Sequence, residues 1–385
     1  MNLPKGFRYA AGYAGIRKKQ ENDLALIVSD QPAATAAVFT RNRVCAAPVK
    51  LAQANLRASK GKMRAILVNA GNANCATKTG AQVASQSVAA AAAALSISPE
   101  EIIPASTGVI GVELNGQLIV DKLPELSKSL DAKSFDLVAS AIMTTDTVQK
   151  TAFAEVKGAR IAGMTKGAGM IHPNMATTLA FVLTDAVVPP ASLRTILRRA
   201  CGKTFNRISV DGDQSTNDTL AVLANGASGV RPALTAFETA LTTVLESLAT
   251  QIVRDGEGAK KLVTIDVSGT TTESAAERIA RAMANSPLVK TAIAGSDPNW
   301  GRLISSAGTA GVAFDPAKVD IDMQGIPVCR GGLAADFNES ELIQLLNQPD
   351  ISIRFKIRGA GKGKARFWTC DFTEKYIEIN GSYRT

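Results

Sequence analysis

"KGAGMIHPNMATTLAFVLTDA", residues 166–186, joins a glycine-rich turn to an apolar run, and the reading of that run sets the layout of the chain. TTLAFVLTDA at 177–186 has the β-branched and aromatic content of a strand. Further strand candidates are MRAILVNAG at 63–71, KLVTIDVSG at 261–269, and the late pair ISIRFKIRG and ARFWTCDF, which flank a Gly-Lys turn. Between them lie alanine-rich segments with apolar residues three and four apart, ending before Pro99 and near 190–202, 234–256 and 272–286, which predict helices. The alternation is that of a mixed α/β protein. No fixed-period repeat, low-complexity tract or proline-rich linker divides the chain, so one integrated catalytic unit is expected.

The 385 residues are 46% hydrophobic and carry a formal charge of +9, from 43 Lys+Arg against 34 Asp+Glu. That balance suits a folded protein whose surface attracts anionic metabolites, cofactors or nucleic acid, without choosing among them. The basic residues are scattered. Their clusters, RKK at 17–19 and GKGKAR at 361–366, read as solvated faces and a hairpin turn, and no nucleic-acid motif with interleaved aromatics is present. Five cysteines form an odd set without CxxC spacing, so neither a disulfide framework nor a zinc or other metal site is expected, and a reducing cytoplasm is the simplest location. The first twenty residues lack the apolar core of a secretory signal, and no run is long enough to span a bilayer.

Polar, glycine-rich clusters recur at element ends: NAGNANCATKTG (69–80), STGVIG (106–111), MTTDT (143–147), ISVDGDQSTNDT (208–219), RDGEGAKK (254–261) and GSDPNWGR (295–302). Their number and their small hydroxyl and amide side chains point to a site assembled from many loops. His172 is the only histidine, and no GxSxG elbow accompanies it, so it reads first as a structural hydrogen-bonding group before Pro173. Another base is needed. A threonine whose own α-amine is free can give up its hydroxyl proton to that amine, which titrates at about 7.7–8.0. Thr177 would gain such an amine if the Ala176–Thr177 bond were cut, by an N-to-O acyl shift and hydrolysis of the ester.

Six blocks in order, with KGAGMIHPNMATTLAF, STGVIG, NAGNANCATKTG, NRISVDGDQSTNDT, GSDPNWGR and the terminal YIEINGSYRT, closely resemble the ornithine acetyltransferase (glutamate N-acetyltransferase) family of arginine biosynthesis, over essentially the whole chain. The resemblance implies a layered αββα fold related to N-terminal-nucleophile hydrolases. It also implies self-cleavage into residues 1–176 and 177–385, paired as an α₂β₂ heterotetramer. It makes Thr177 the nucleophile, Thr107 and Gly108 the oxyanion-stabilising pair, and Thr144, Lys166, Thr177, Glu257, Asn380 and Thr385 the substrate contacts. The implied reaction is ping-pong: acetyl passes from N-acetylornithine to Thr177 and then to glutamate, with no cofactor. Some members also accept acetyl-CoA as donor. Lys166 would suit a substrate carboxylate and Glu257 an ammonium.

The chain departs from the family pattern in three places. Thr178 stands where a methionine commonly follows the nucleophile, Ala168 where a serine is common, and VELNGQLIVDKLPEL at 112–126 is more irregular than the usual link. These bear on substrate preference and donor range. Two other functions fit the residues: an amidase of related fold with water as final acceptor, and a non-catalytic basic protein that holds anionic ligands or RNA.

Overall fold

A computed structural model describes residues 3–172, 178–359 and 361–382. In chain order the elements are β1 (Phe7–Gly12), β2 (Leu24–Phe39), α1 (Ala47–Ala58), β3 (Lys62–Asn72), α2 (Gly80–Leu95), β4 (Ile102–Val109), α3 (Gln117–Lys128), α4 (Phe135–Ala141), β5 (Lys150–Val156), β6 (Ala159–Lys166) and β7 (Leu179–Thr184). They continue with α5 (Pro190–Lys203), β8 (Ile208–Ser209), β9 (Thr219–Ala224), α6 (Leu234–Arg254), β10 (Leu262–Thr270), α7 (Glu273–Ala284), α8 (Pro287–Ala294) and α9 (Trp300–Gly308). The last are β11 (Val319–Met323), β12 (Ile326–Arg330), β13 (Leu333–Ala334), α10 (Glu339–Leu346), β14 (Asp350–Ile357), β15 (Gly363–Cys370) and α11 (Glu374–Ser382).

Strands β1–β7 and β9 form one hydrogen-bonded sheet, in the order β4-β3-β2-β9-β7-β6-β5 with β1 also on β2. The sixteen-residue β2 serves two halves of it. Its first part pairs with β1 and β3, its last part with β9, and the register breaks between Val28 and Ala33 where the pairing changes. A strand that shifts its pairing at a bulge lets a sheet turn onto itself. The side chains record the result. Ala25, Ile27, Ile66, Val68 and Ile103 from one half meet Met164, Leu179, Phe181, Leu183, Ala221 and Leu223 from the other in a shared core.

The outer faces of the two halves are covered separately. Leu24, Leu26, Ala65 and Leu67 lie against α2 and α3, and Ala180, Val182, Leu220 and Val222 against α5 and α6. This is the layered mixed α/β architecture implied by the sequence blocks, with helices outside two facing β layers. β7 and β9 run parallel at its centre, and every residue of both is buried, which is why LAFVLT and TLAVLA are continuous apolar runs rather than alternating ones. α6 seats Phe237, Leu241, Val244, Leu245, Leu248, Ala249, Ile252 and Val253 on this core at helical spacing, and a fully buried leucine contributes about 1.5–3 kcal/mol.

The irregular link after STGVIG is in fact largely helical: α3 buries Ile119, Leu123 and Leu126 although Pro124 lies inside it. The proline hides the helix from a sequence reading because it removes one backbone donor, yet the apolar stripe still holds it in place. Sheet strands from both sides of the Ala176–Thr177 junction interleave, since β6 pairs with β7 and β2 with β9.

The second sheet has the order β13-β12-β11-β14-β10-β15-β8. Its inner face packs on α7, α8, α9 and α10, while β14 alternates buried Ile351, Ile353, Phe355 and Ile357 with exposed Asp350, Ser352, Arg354 and Lys356. The hairpin expected at GKGKAR is corrected here. β14 and β15 do not pair with each other; β10 lies between them, parallel to β14 and antiparallel to β15. Local sequence cannot reveal a third strand inserted from ninety residues upstream. Among the described residues no helix is long and apolar enough to cross a membrane.

Candidate active site

The two facing β layers leave a cavity of about 190 Å³ at one end. Its lining comes from the tips of β4 and β6, the start of β7, the 211–218 segment before β9, the turn after α6, and α11. Thr107, Gly108, Thr144, Lys166, Glu257 and Asn380, singled out from the sequence, all line it. Ala176, Thr177 and Thr385 lie outside the described residues, but Thr178 and Leu179, which directly follow Thr177, are part of the cavity wall.

Gly108 closes β4 at φ +130°, and a Cβ there would lie 2.2 Å from the Gly71 carbonyl carbon. Only glycine permits that approach, and it fixes Thr107 and Gly108 against β3. Asn217, at the entry to β9, donates from Nδ2 to the carbonyls of Ala73 (2.6 Å) and Ser106 (2.9 Å). One buried amide thereby ties the two β layers together beside Thr107.

Lys166 ends β6 and donates from Nζ to Thr107 Oγ1 at 3.2 Å. Thr107 then has its own hydroxyl proton free to donate elsewhere. Burial pulls the Lys166 ammonium below its ordinary value, helped by Lys150 and opposed by Asp146, Asp218 and Glu257. Among the described residues no carboxylate lies at ion-pairing distance from it.

Beneath Lys166 sits a buried charge cluster. Lys150 Nζ bonds Asp146 at 2.6 Å and Asp255 at 2.5 Å, with the Lys150 and Asp146 side chains fully buried. Asp146 also accepts from the Gly167 N–H (2.6 Å) and the Thr144 N–H (2.9 Å), so one carboxylate holds two of the wall segments. Burial alone would raise its pKa, but Lys166, Lys150 and the Gly167 N–H more than offset it and hold the carboxyl below its usual range.

On the opposite wall, Glu257 accepts from Asn380 Nδ2 at 2.8 Å, and its own N–H donates to the Ala168 carbonyl at 2.9 Å. Its carboxylate lies over Gly169, where a Cβ would come within 2.4 Å of it. The second glycine of KGAG therefore makes room for the acid. Asn380 is brought in by α11, which also contributes Tyr376.

His172 stays outside this lining. Its ring lies 3.4 Å from Ser209 Oγ, 3.3 Å from Asn285 Nδ2 and 3.4 Å from Arg281 Nη1, and burial together with the Arg281 charge pushes its pKa down to about 4. A neutral ring bonded at the seam with α7 fits the structural reading of the lone histidine. The sequence reading missed Asp146, Lys150, Asn217, Asp218 and Tyr376 as site residues. Four of them stand in or beside quoted polar blocks, but nothing in their spacing tells which side chains converge.

The ArgJ family model matches residues 8–385. The chain belongs to the ArgJ family. An arginine biosynthesis bifunctional protein ArgJ from Thermus thermophilus is 47% identical, with 100% of both chains covered. Another from Bradyrhizobium diazoefficiens is 44% identical over 100% of this chain and 96% of that one. The crystal structure of an arginine biosynthesis bifunctional protein from Bacillus halodurans is 37% identical with TM-score 0.51, covering 53% of this chain and 98% of its own. ArgJ membership agrees with the resemblance read from the six blocks. It makes the chain a transferase of arginine biosynthesis, and Thr107, Gly108, Thr144, Lys166, Glu257 and Asn380 meet at the cavity.

Proposed function

We propose that this ArgJ-family chain transfers acetyl from N2-acetylornithine to glutamate through an acetyl ester on Thr177, after cleavage at Ala176–Thr177 has freed the Thr177 amine. The observation that carries this reading is the convergence of Thr107, Gly108, Thr144, Lys166, Glu257 and Asn380 on one cavity at the start of β7. These side chains supply what two successive acyl transfers need. The Thr177 amine takes the hydroxyl proton; the Thr107 hydroxyl and the Gly108 N–H donate to the tetrahedral oxygen. Lys166 offers a cation to a substrate carboxylate, and Glu257, held by Asn380, offers an anion to an ammonium.

Ornithine leaves after the first transfer and glutamate's amine attacks the ester in the second, so no cofactor is consumed; acetyl-CoA could load the same ester. The interleaving of strands from 1–176 and 177–385 supports two product chains that stay together; an α₂β₂ assembly in the cytoplasm is proposed from the family resemblance. The half-length chain of the solved Bacillus relative is of the size expected for one product.

The test is intact mass under denaturing conditions, followed by an acetyl-transfer assay. Wild type should give two fragments, the heavier beginning at Thr177, and form N-acetylglutamate from N-acetylornithine and glutamate. Thr177→Ala should remain a single 40.2 kDa chain and be inactive. A single uncut wild-type chain would remove the proposed base, and hydrolysis without N-acetylglutamate would make the protein an amidase.

A further inference from the structure

Asp218 is 2% exposed, lines the cavity, and has no hydrogen-bond partner at Oδ2. A buried carboxyl oxygen without a partner is costly unless a ligand completes it. Among the described residues one other buried carboxyl oxygen is in that state, Asp371 Oδ2. Asp371 is far less suggestive: it lies outside the cavity, and its second oxygen is fixed by the N–H groups of Lys260 (2.8 Å) and Lys261 (3.0 Å). Asp218 is also held in place from both sides, through the Asn217 amide and through its own carbonyl, which accepts from the Thr40 N–H at 2.9 Å.

Burial sets its protonation. The carboxyl is raised well above its usual range, and the Ser215 and Thr40 hydroxyls and the Lys166 charge pull it down by less. The other titratable groups around the cavity are Lys166 from β6, Glu257 after α6, Asp211 and Asp213 before β9 and Tyr376 from α11, with Asp146 and Lys150 behind Lys166. Glu257 is engaged by Asn380 and Lys166 by Thr107; among the described residues that line the cavity, Asp218 is the acid with a fully buried oxygen that has no partner.

We propose that Asp218 is a further catalytic residue of this site, an acid in the cavity wall that supplies the proton the departing amine requires. The inference rests on the acetyl-threonine reading above. In the first half-reaction the Thr177 hydroxyl adds to the acetamide carbonyl and its proton passes to the Thr177 amine. The C–N bond then breaks, the Asp218 carboxyl gives its proton to the leaving nitrogen, and ornithine departs. In the second half, the glutamate ammonium first gives one proton to solvent and its amine attacks the ester; the Asp218 carboxylate takes the second proton from that nitrogen as the amide forms, and the C–O bond breaks. The proton held on the Thr177 amine returns to the Thr177 oxygen as N-acetylglutamate forms. Both acids then stand as they began.

An acetyl donor whose leaving group needs no proton separates this role from a structural one. p-Nitrophenyl acetate releases a stable phenolate, whereas N-acetylornithine releases an amine. With Asp218→Asn, the ratio of enzyme acetylation by N-acetylornithine to that by p-nitrophenyl acetate should fall by about 10²–10³. An unchanged ratio, whether both rates drop or neither does, overturns the proposal. In wild type, acetylation by N-acetylornithine should decline with rising pH as Asp218 loses its proton, and acetylation by the aryl ester should not share that limb. Identical limbs overturn it even if the variant fails to mature. If wild type shows neither a nitrophenolate burst nor N-acetylglutamate, it is the acetyl-threonine reading that fails.

Discussion

Both halves of the molecule bury lysines, and they do so in opposite ways. Around the second sheet, Lys290 donates to Thr369 Oγ1 at 2.9 Å and to the Cys370 carbonyl, and Lys261 donates to the Ile293 carbonyl at 2.7 Å and Ser296 Oγ at 2.8 Å. Lys261 rivets the start of β10 to the end of α8, where helix carbonyls lack partners of their own, and Lys290 rivets α8 to the end of β15. Beside the cavity, Lys150 is clamped between two aspartates, and Lys166 touches a single hydroxyl among the described residues. The difference separates holding the fold from holding a ligand. A lysine whose donors end on backbone carbonyls is finished; one that reaches a cavity with only a hydroxyl partner retains donors for an incoming anion.

Breaking the clamp should give the largest effect. Lys150→Met leaves Asp146 and Asp255 buried without their cation, at a cost of about 3–5 kcal/mol, measured by urea unfolding. It should also loosen Thr144 and Gly167, so KM should rise in whatever fraction remains folded. A loss below about 1 kcal/mol would mean that the aspartates find other partners and that the clamp is not the foundation of the wall.

The Lys166 and Lys290 pair sharpens the contrast. Lys166→Met should lower kcat/KM for acetyl transfer about a hundredfold while leaving thermal stability level or slightly raised, because a desolvated cation has been removed. Lys290→Met should do the reverse, destabilising by about 1–3 kcal/mol through the orphaned Cys370 carbonyl and Thr369 hydroxyl, with transfer per folded molecule unchanged. If both variants lost stability alone, Lys166 would be another rivet.

His172 at the seam gives the smallest effect. Its pKa in the folded chain, about 4, lies below the ordinary 6.5, so the unfolded chain takes up the proton first. Stability should therefore decline as pH falls from about 6.5 to about 4, with no further loss from this group below that. Unfolding midpoints at pH 7 and 4.5 should converge in His172→Gln relative to wild type; an equal drop in both proteins would show that the carboxylates alone set the acid sensitivity.

The helices at 190–202, 234–256 and 272–286 were legible in the chain because apolar spacing reports a face that must be buried, wherever the covering element comes from. So were the strands at 63–71 and 177–186, and the six blocks that carry the family resemblance. Thr107 and Lys166 could be named from those blocks and Glu257 from RDGEGAKK, since their neighbours in sequence identify them. α3 was hidden by Pro124, and the hairpin at GKGKAR was misread because two strands joined by a short turn normally pair.

What the sequence determined by itself is the set of elements and the kinds of chemistry at their ends, because both are local properties of residue type and spacing. Tertiary structure alone decided which ends meet. The change of partners along β2 lays one β layer over the other and brings the tip of β4 to the tip of β6. The crossing into β9 then carries Asn217 and Asp218 to the same place, while Lys150 is matched with an aspartate 105 residues away. Burial is likewise a property of the assembled layers: the same carboxyl that would have an ordinary pKa on a loop is pushed, at Asp218, well above its usual range.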